Sequence, residues 1–214
     1  RNRTMADVQF PIAVLISGGG TTLQNLIQRK KRGQLPHVKI ALVISSNPNA
    51  KGLQFAEEAG IPCVTVERNA YSDDQTYSQE VFAQCRQSDV KLVVMAGLRK
   101  FLPSPEDFEN RVMNIHPGLI PAFCGKAMYG LRVHQAVLDY GAKISGCTIH
   151  FVDDVYDHGP IISQHVVPVL RGDTAETLQQ RVFAVECDAY PAAIGLFASG
   201  RLEIAGRRIG VRSP

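Results

Sequence analysis

Apolar residues follow two kinds of pattern along this chain, short continuous runs and longer stretches with helical spacing. Runs of strand length occupy residues 10–16, 38–44, 61–66, 90–96, 146–152 and 161–169. Helical spacing begins at residue 23 and recurs in residues 52–59, 72–87, 131–140 and 175–197. Strands that alternate with helices in this way predict parallel β-α-β units with right-handed crossovers. We therefore expect an α/β fold with a mostly parallel, Rossmann-like central sheet flanked by helices.

Two of the predicted helices contain residues that mark a helix start or a break in a helix. Asp73 and Asp74 come at the start of the third helical stretch, where acidic side chains favour a helix N-terminus, and we interpret Asp74 as a cap. Pro191 lies inside the last helical stretch. Because proline has no N–H donor, we expect that helix to be broken or kinked there.

The first apolar run is followed by a glycine-rich turn and then by a helix. Bare glycine amides at a helix N-terminus form a cradle for phosphate, and a threonine there can cap the helix and donate its hydroxyl. The spacing is not Gly-x-Gly-x-x-Gly and no Gly-Lys-Ser/Thr follows, which disfavours NAD and ATP as ligands. The candidate phosphate-binding residues are Gly18, Gly19, Gly20, Thr21 and Thr22.

The sequence Asn114-Ile115-His116-Pro117 follows two apolar residues, as at the end of a buried strand. Side chains alternate along a strand, so Asn114 and His116 share one face. An amide donor beside a titratable imidazole suits a carbonyl oxygen that becomes an oxyanion. The alternative is that both residues merely cap the strand end.

An acidic loop follows the strand predicted for residues 146–152, and it contains Asp153, Asp154 and Asp157. One or two of these aspartates are expected to form turns or helix caps. A third could hold an imidazole in place and raise its pKa.

Composition and charge narrow the range of possible partners. The chain has 214 residues and a net charge of +3, which gives no reason to expect a nucleic-acid or membrane surface. The five cysteines are scattered without a Cys-x-x-Cys pair, so we expect reduced thiols, no zinc site and a cytoplasmic location. Residues 1–10 are interpreted as an upstream extension or expression remnant, 11–200 as one domain, and 201–214 as a tail that forms a surface hairpin or a loose end.

Four short sequences together carry a resemblance to a known family. They are Ser17-Gly18-Gly19-Gly20, Asn114-Ile115-His116-Pro117, His150-Phe151-Val152 and Asp157-x-Gly159-Pro160. In this order they resemble the phosphoribosylglycinamide formyltransferase family, over residues 11–200. The resemblance implies a formyltransferase fold and transfer of a formyl group from 10-formyltetrahydrofolate to the amine of glycinamide ribonucleotide, in de novo purine biosynthesis. It implies small-molecule substrates, no metal, and a monomer or homodimer.

The resemblance also implies roles for individual residues. Asn114, His116 and Asp157 would be catalytic, with Asp157 keeping His116 charged, and the glycine turn would hold the ribose phosphate. Glu186 would reach the ribose, unless it is simply a solvated helical residue. The implied folate-binding residues are Arg99, Lys100, Phe101, Leu102, Asn114, Asp153 and Asp154.

Some features remain open or depart from the family pattern. Residues 99–102 can alternatively form a helical connector on the sheet, and His134 is either a site residue or a packed one. Thr22 stands where familiar members carry Asn, and residues 124–130 form a longer segment than many members have there.

Three other functions are alternatives for a chain with these residues. Formyltetrahydrofolate deformylase shares the Asn, His and Asp set but passes the formyl group to water, and it usually carries an additional regulatory domain. Methionyl-tRNA formyltransferase needs an RNA-binding domain and a more basic surface. A non-catalytic nucleotide-binding module on the same fold is disfavoured by the intact Asn114, His116 and Asp157.

Overall fold

The computed structural model describes residues 9–98 and 100–213. Its strands are β1 (Phe10–Ile16), β2 (Val38–Ser45), β3 (Cys63–Thr65), β4 (Leu92–Met95), β5 (Val112–His116), β6 (Ile144–Phe151), β7 (Ile161–Pro168), β8 (Leu202–Ala205) and β9 (Arg208–Val211). Its helices are α1 (Thr21–Lys31), α2 (Gly52–Glu58), α3 (Asp74–Gln87), α4 (Leu131–Tyr140) and α5 (Ala175–Ala198).

Seven of the strands form one sheet in the order β3-β2-β1-β4-β5-β6-β7. The β1–β2, β1–β4 and β2–β3 pairs are parallel, and β6 pairs with β7 in the antiparallel sense. This arrangement confirms the predicted α/β fold with a mostly parallel sheet flanked by helices. The described chain divides into two compact units, the first reaching to residue 113 and including 198–200, the second made of 114–197 and 201–213.

The first unit is built around strands that are buried on both faces. Residues 12–16 of β1 are at most 1% exposed, and all four residues of β4 are buried. Continuous apolar runs are typical of strands in parallel sheets, which helices cover on both sides. Helix α1 packs through Leu23, Leu26 and Ile27, and basic residues in its last turn complement the helix dipole.

The N-cap of helix α3 lies one residue earlier than the sequence predicted. Asp73 is the N-cap, and its carboxylate accepts the Thr76 N–H at 2.7 Å. Asp74 is the first helical residue and pairs with Arg68 Nε at 2.6 Å, so the interpretation of Asp74 as the cap is wrong. Asp73 has the extended backbone that an N-cap requires.

The second unit combines an antiparallel pair of strands with two helices and a hairpin. Helix α4 has the predicted bounds of 131–140 and buries Val133, His134 and Val137. Helix α5 continues through Pro191, so of the break or kink predicted there the break does not occur. Pro191 is itself buried beside Tyr190, and this apolar packing offsets the backbone hydrogen bond that proline cannot make.

The last described residues fold as an antiparallel hairpin of β8 and β9, one of the two forms expected for the tail. Arg201 anchors it by donating from Nε to the Arg212 carbonyl at 2.9 Å. Across residues 9–98 and 100–213, no helix is both long enough and apolar enough to span a bilayer.

Candidate active site

Strand β5 ends in the polar pair that the sequence singled out. Asn114 is half-buried, and the His116 side chain is 3% exposed. Alternation along the strand gives both side chains the same face. The structure brings them to a cluster completed by Asp157 and His150, so they do more than terminate a strand.

The three aspartates in the loop that follows β6 lie in different surroundings. Asp153 forms the turn, because its Oδ1 accepts the Val155 N–H at 3.0 Å and its Oδ2 lies 2.7 Å from His158 Nδ1. Asp154 is exposed. Asp157 lies beside the strand-end histidine, with Oδ2 3.4 Å from His116 Nδ1.

The Asp157 carboxylate is held from several sides. Its Oδ2 accepts the Gly125 N–H at 2.9 Å, and its Oδ1 lies 3.7 Å from His150 Nε2. Burial raises the pKa of Asp157, but its interactions with His150, His116 and the Gly125 N–H together outweigh burial, and the net pKa is lowered. Asp157 is therefore ionised at neutral pH.

Each ring nitrogen of His116 faces an acceptor. Nε2 lies 2.9 Å from the Phe123 carbonyl oxygen, which can only accept, so Nε2 carries a hydrogen. Nδ1 faces the Asp157 carboxylate, where a second proton would be accepted. This geometry makes Nδ1 the atom at which His116 gains and loses a proton.

The free protein does not keep His116 charged as expected. Burial lowers the pKa of His116 below its ordinary value of 6.5, and the Asp157 carboxylate and the Phe123 carbonyl offset this only in part. Asp157 therefore raises the pKa of His116 as expected, but the expectation that it keeps His116 charged is wrong for the free protein, because burial has the larger effect. His116 is a neutral base at pH 7, and Asp157 makes it a stronger one.

His150 is a member of the cluster to which sequence reasoning gave no role. Its Nδ1 donates to the Phe151 carbonyl at 2.7 Å, which leaves Nε2 as an acceptor for Asn114 Nδ2 at 3.3 Å. This contact orients the Asn114 amide and leaves its second N–H available. The alternation of Thr148 and His150 along β6 was the sequence signal that could have placed His150 on the same face as the site.

Two loop residues of the site adopt a left-handed backbone. Phe123 has φ 50° and Asp157 has φ 52°. Such conformations cost roughly 1–2 kcal/mol for residues other than glycine and cluster at functional sites. Here they present the Phe123 carbonyl and the Asp157 carboxylate to the two nitrogens of His116.

The glycine turn joins β1 to α1 as predicted, but its threonines do not cap the helix. Gly20 is the N-cap residue, with φ 72°, and Thr21 and Thr22 are the first two helical residues. Gly19 is exposed, and a Cβ added there would have no described atom within 4 Å. The backbone amides of residues 18–20 remain the candidate phosphate cradle, in front of an eleven-residue helix.

The candidate folate segment is only partly described. Arg99 lies outside the described residues. Lys100 is exposed, Phe101 is half-buried, and Leu102 is 1% exposed. Residues 100–105 form no helix, so the helical connector proposed as the alternative is wrong. Burial of the Leu102 side chain leaves its backbone as the part that a ligand could contact.

Glu186 lies half-buried on α5 and is not the solvated residue that a helical glutamate usually is. Burial raises its pKa from 4.5 to about 7. Burial also raises the pKa of Cys147 to about 12, and the Glu186 carboxylate adds to that increase. A glutamate with a pKa of about 7 is partly protonated at neutral pH, and in that form it can both donate and accept hydrogen bonds.

Replacing Glu186 with Gln is expected to stabilise the protein at alkaline pH. A carboxyl whose folded pKa lies above its unfolded value stabilises the fold below about pH 4.5 and loses that contribution as pH rises through about 7. Glutamine stays neutral, so the free energy of unfolding at pH 8 should rise by about 1–3 kcal/mol relative to the parent. Urea unfolding at pH 5 and pH 8 measures this, with Glu203→Gln on the exposed hairpin as the control. An equal effect at both pH values would contradict it.

His134 belongs to the packed interior of α4. It is 1% exposed, and its Nδ1 has no hydrogen-bond partner among the described residues. Burial, with a smaller contribution from His116, lowers its pKa from 6.5 to about 4. These properties favour the packed alternative over a ligand-binding one.

His134→Gln is expected to reduce the sensitivity of the fold to acid. A histidine with a lowered folded pKa contributes stability that is present above pH 6.5 and is lost as pH falls toward about 4. Between pH 7 and pH 4 the parent should therefore lose about 2–3 kcal/mol more than the variant. Chemical denaturation at both pH values tests this. His37→Gln, at an exposed position, should lose as much as the parent.

No three or more His, Cys, Asp or Glu side chains among the described residues are arranged to hold a metal ion. The cluster instead offers an amide donor, an ionised carboxylate and two imidazoles. Such a set can polarise a carbonyl oxygen and move a proton.

Comparison with known families identifies the fold that carries this cluster. Residues 11–194 match the family model described as formyl transferase. The chain belongs to the formyl transferase family. The match covers β1 through most of α5 and includes all the residues of the cluster.

Individual members of the formyl transferase family are similar over most of the chain. The trifunctional purine biosynthetic protein adenosine-3 of Gallus gallus is 39% identical over 90% of this chain, which spans only 19% of that protein's length. The phosphoribosylglycinamide formyltransferase of Haemophilus influenzae is 35% identical over 90% of this chain and 89% of its own. The crystal structure of glycinamide ribonucleotide transformylase 1 from Symbiobacterium toebii has a TM-score of 0.91 and 40% identity, covering 100% of this chain and 99% of that one.

Proposed function

We propose that this protein transfers the formyl group of 10-formyltetrahydrofolate to the amine of glycinamide ribonucleotide, a step of purine biosynthesis. The observation that carries the proposal is the cluster of Asn114, His116, His150 and Asp157 in the second unit. It supplies an oriented amide donor and a proton-accepting pair. Family members named for this activity, such as those of Haemophilus influenzae and Symbiobacterium toebii, support the choice of substrates.

Asn114 is proposed to stabilise the oxyanion. Attack of the amine on the formyl carbon makes a tetrahedral intermediate, in which the former carbonyl oxygen is negative. His150 engages one side of the Asn114 amide, at 3.3 Å, and so fixes the direction in which the remaining N–H donates. Removing a donor of this kind typically lowers kcat by about 100- to 1,000-fold.

His116 and Asp157 are proposed to carry the proton. The attacking amine must lose a proton, and N10 of tetrahydrofolate must gain one as its bond to the formyl carbon breaks. The Nδ1 atom of His116, next to the Asp157 carboxylate, is the acceptor for the first proton and the donor of the second. While it holds the proton, the imidazolium also stabilises the nearby oxyanion.

Further residues are proposed to contact the substrates. The amides of residues 18–20 would bind the ribose phosphate, with Thr22 as a possible hydroxyl donor. Glu186 would form hydrogen bonds with the ribose hydroxyls. Lys100, Phe101 and the Leu102 backbone, with Arg99, Asp153 and Asp154, are the proposed folate contacts.

One assay separates the proposed activity from its rival. The protein is supplied with 10-formyltetrahydrofolate, with and without glycinamide ribonucleotide, and tetrahydrofolate release is followed while the nucleotide is weighed by mass spectrometry. Transfer requires the nucleotide and adds one formyl group to it. Release at the same rate without nucleotide would instead identify a deformylase.

A further inference from the structure

The segment that follows His116 is fixed by a buried hydroxyl from β6. Thr148 is fully buried, and its Oγ1 donates to the Gly118 carbonyl at 2.7 Å. The same oxygen accepts the Ile120 N–H at 3.1 Å. One side chain therefore binds both a carbonyl and an amide of this turn.

Gln164 on β7 completes the arrangement. Its Nε2 donates to the Ile120 carbonyl at 2.8 Å and to Thr148 Oγ1 at 3.1 Å. A hydroxyl has one donor and two acceptor positions, and all three of those on Thr148 are now used. The Gly118 and Ile120 carbonyls can only accept and the Ile120 N–H can only donate. The direction of every hydrogen bond in the network is therefore fixed.

Gly118 transmits this arrangement to the site. A Cβ built on Gly118 would lie 2.9 Å from His116 Nε2 and 3.2 Å from Val133 Cγ1, so the bare backbone is packed directly against the imidazole. The imidazole is therefore confined between Gly118, the Phe123 carbonyl and Asp157. A shift of Gly118 would change the position of the ring relative to the Asp157 carboxylate, which lies 3.4 Å from Nδ1.

We propose that Thr148 and Gln164 are positioning residues for His116, acting through the backbone of residues 118–120 and without contact to either substrate. The inference rests on the proposed formyl transfer, for which the ring must be placed against Asp157. Displacing reacting groups by about 1 Å can cost roughly 100-fold in rate. The network consequently affects turnover rather than substrate binding.

Four variants test the proposal. Thr148→Val keeps the side-chain shape and removes the hydroxyl, whereas Thr148→Ser keeps the hydroxyl. Gln164→Leu removes both donated hydrogen bonds at a position on an edge strand. Thr65→Val, an exposed threonine on β3, is the matched control.

We expect Thr148→Val and Gln164→Leu to lower kcat by about 10- to 100-fold while the KM for each substrate changes less than twofold. Thr148→Ser should recover kcat to within about threefold of the parent, and Thr65→Val should match the parent. Histidine NMR should show the pKa of His116 shifted from that of the parent in the two impaired variants, because the ring has moved relative to Asp157.

Two results would overturn the inference. One is parent-like kcat with an unchanged His116 titration in Gln164→Leu, which is informative even if Thr148→Val does not fold. The other is a Thr148→Ser variant as impaired as Thr148→Val, since volume rather than the hydroxyl would then matter. A parent without transferase activity would contradict the proposed function alone, because the His116 titration would still report whether the ring is positioned by this network.

Discussion

Asp157→Asn is expected to lower kcat by about 100- to 10,000-fold, the range typical for loss of an acid–base partner. Asparagine can still accept the Gly125 N–H, so the loop should keep its conformation. It cannot offset the burial of His116, and the pKa of His116 should fall further below 6.5. A weaker base at Nδ1 takes the amine proton less readily, and both substrates should still bind.

The pH dependence provides the sharper measurement for this variant. With the carboxylate gone, the pH at which His116 titrates should move downward, and its NMR titration should show this directly. The stability lost when His116 is protonated should also grow, because a lower folded pKa widens the pH range below 6.5 over which the unfolded state binds the extra proton. The lowered pKa of Asp157 gives stability that is present above the ordinary pKa of a carboxyl and is lost as pH falls below it, so the variant lacks this contribution at neutral pH.

Asp139→Asn is the control, since Asp139 is an exposed aspartate on α4 that lies outside the proposed substrate contacts. It should leave kcat and the His116 titration unchanged. The assignment of Asp157 as the partner would fail if Asp157→Asn kept parent-like turnover, or if His116 titrated at the same pH in both proteins.

Much of the fold follows from local pattern. Helix α4 has the predicted bounds because its apolar residues recur at helical spacing and glycines flank it on both sides. The helix is not broken at Pro191 because the surrounding residues of α5 are buried, and their burial outweighs one lost hydrogen bond. The error at Asp74 was a matter of one residue, since either aspartate could have supplied the cap.

The parts of the candidate site that could be predicted are those that follow from the geometry of the strands. Alternation placed Asn114 and His116 on one face, and the order of strands brought the acidic loop to the same edge of the sheet. The lowered pKa of His116 was missed because burial depends on many residues distant in sequence. The role of the Phe123 carbonyl could not be predicted, because every residue has a backbone carbonyl and the sequence does not show which one will face His116.

Gly20→Ala is expected to destabilise the protein by about 3 kcal/mol or more, which makes it a poor probe of phosphate binding. Gly20 has φ 72°, and an added Cβ would lie 2.4 Å from Gly52 Cα, so backbone would have to move. Gly33→Ala separates the cost of the left-handed backbone from the cost of the steric clash. Gly33 has φ 73°, but no described atom lies within 4 Å of a Cβ added there. Gly33→Ala should cost only about 1–2 kcal/mol in thermal or urea unfolding.

Gly19→Val tests the phosphate cradle without that structural cost. The added side chain enters open space on the exposed face of the turn, where no described atom lies within 4 Å of the Cβ, so the free energy of unfolding should change little. A bound phosphate would occupy that space, and the KM for glycinamide ribonucleotide should rise at least about tenfold, the effect of losing roughly 1.4 kcal/mol of binding. The KM for 10-formyltetrahydrofolate should stay within twofold. A Gly19→Val protein that bound the nucleotide as tightly as the parent would show that the phosphate lies elsewhere, because a valine side chain and a phosphate cannot share the mouth of this turn.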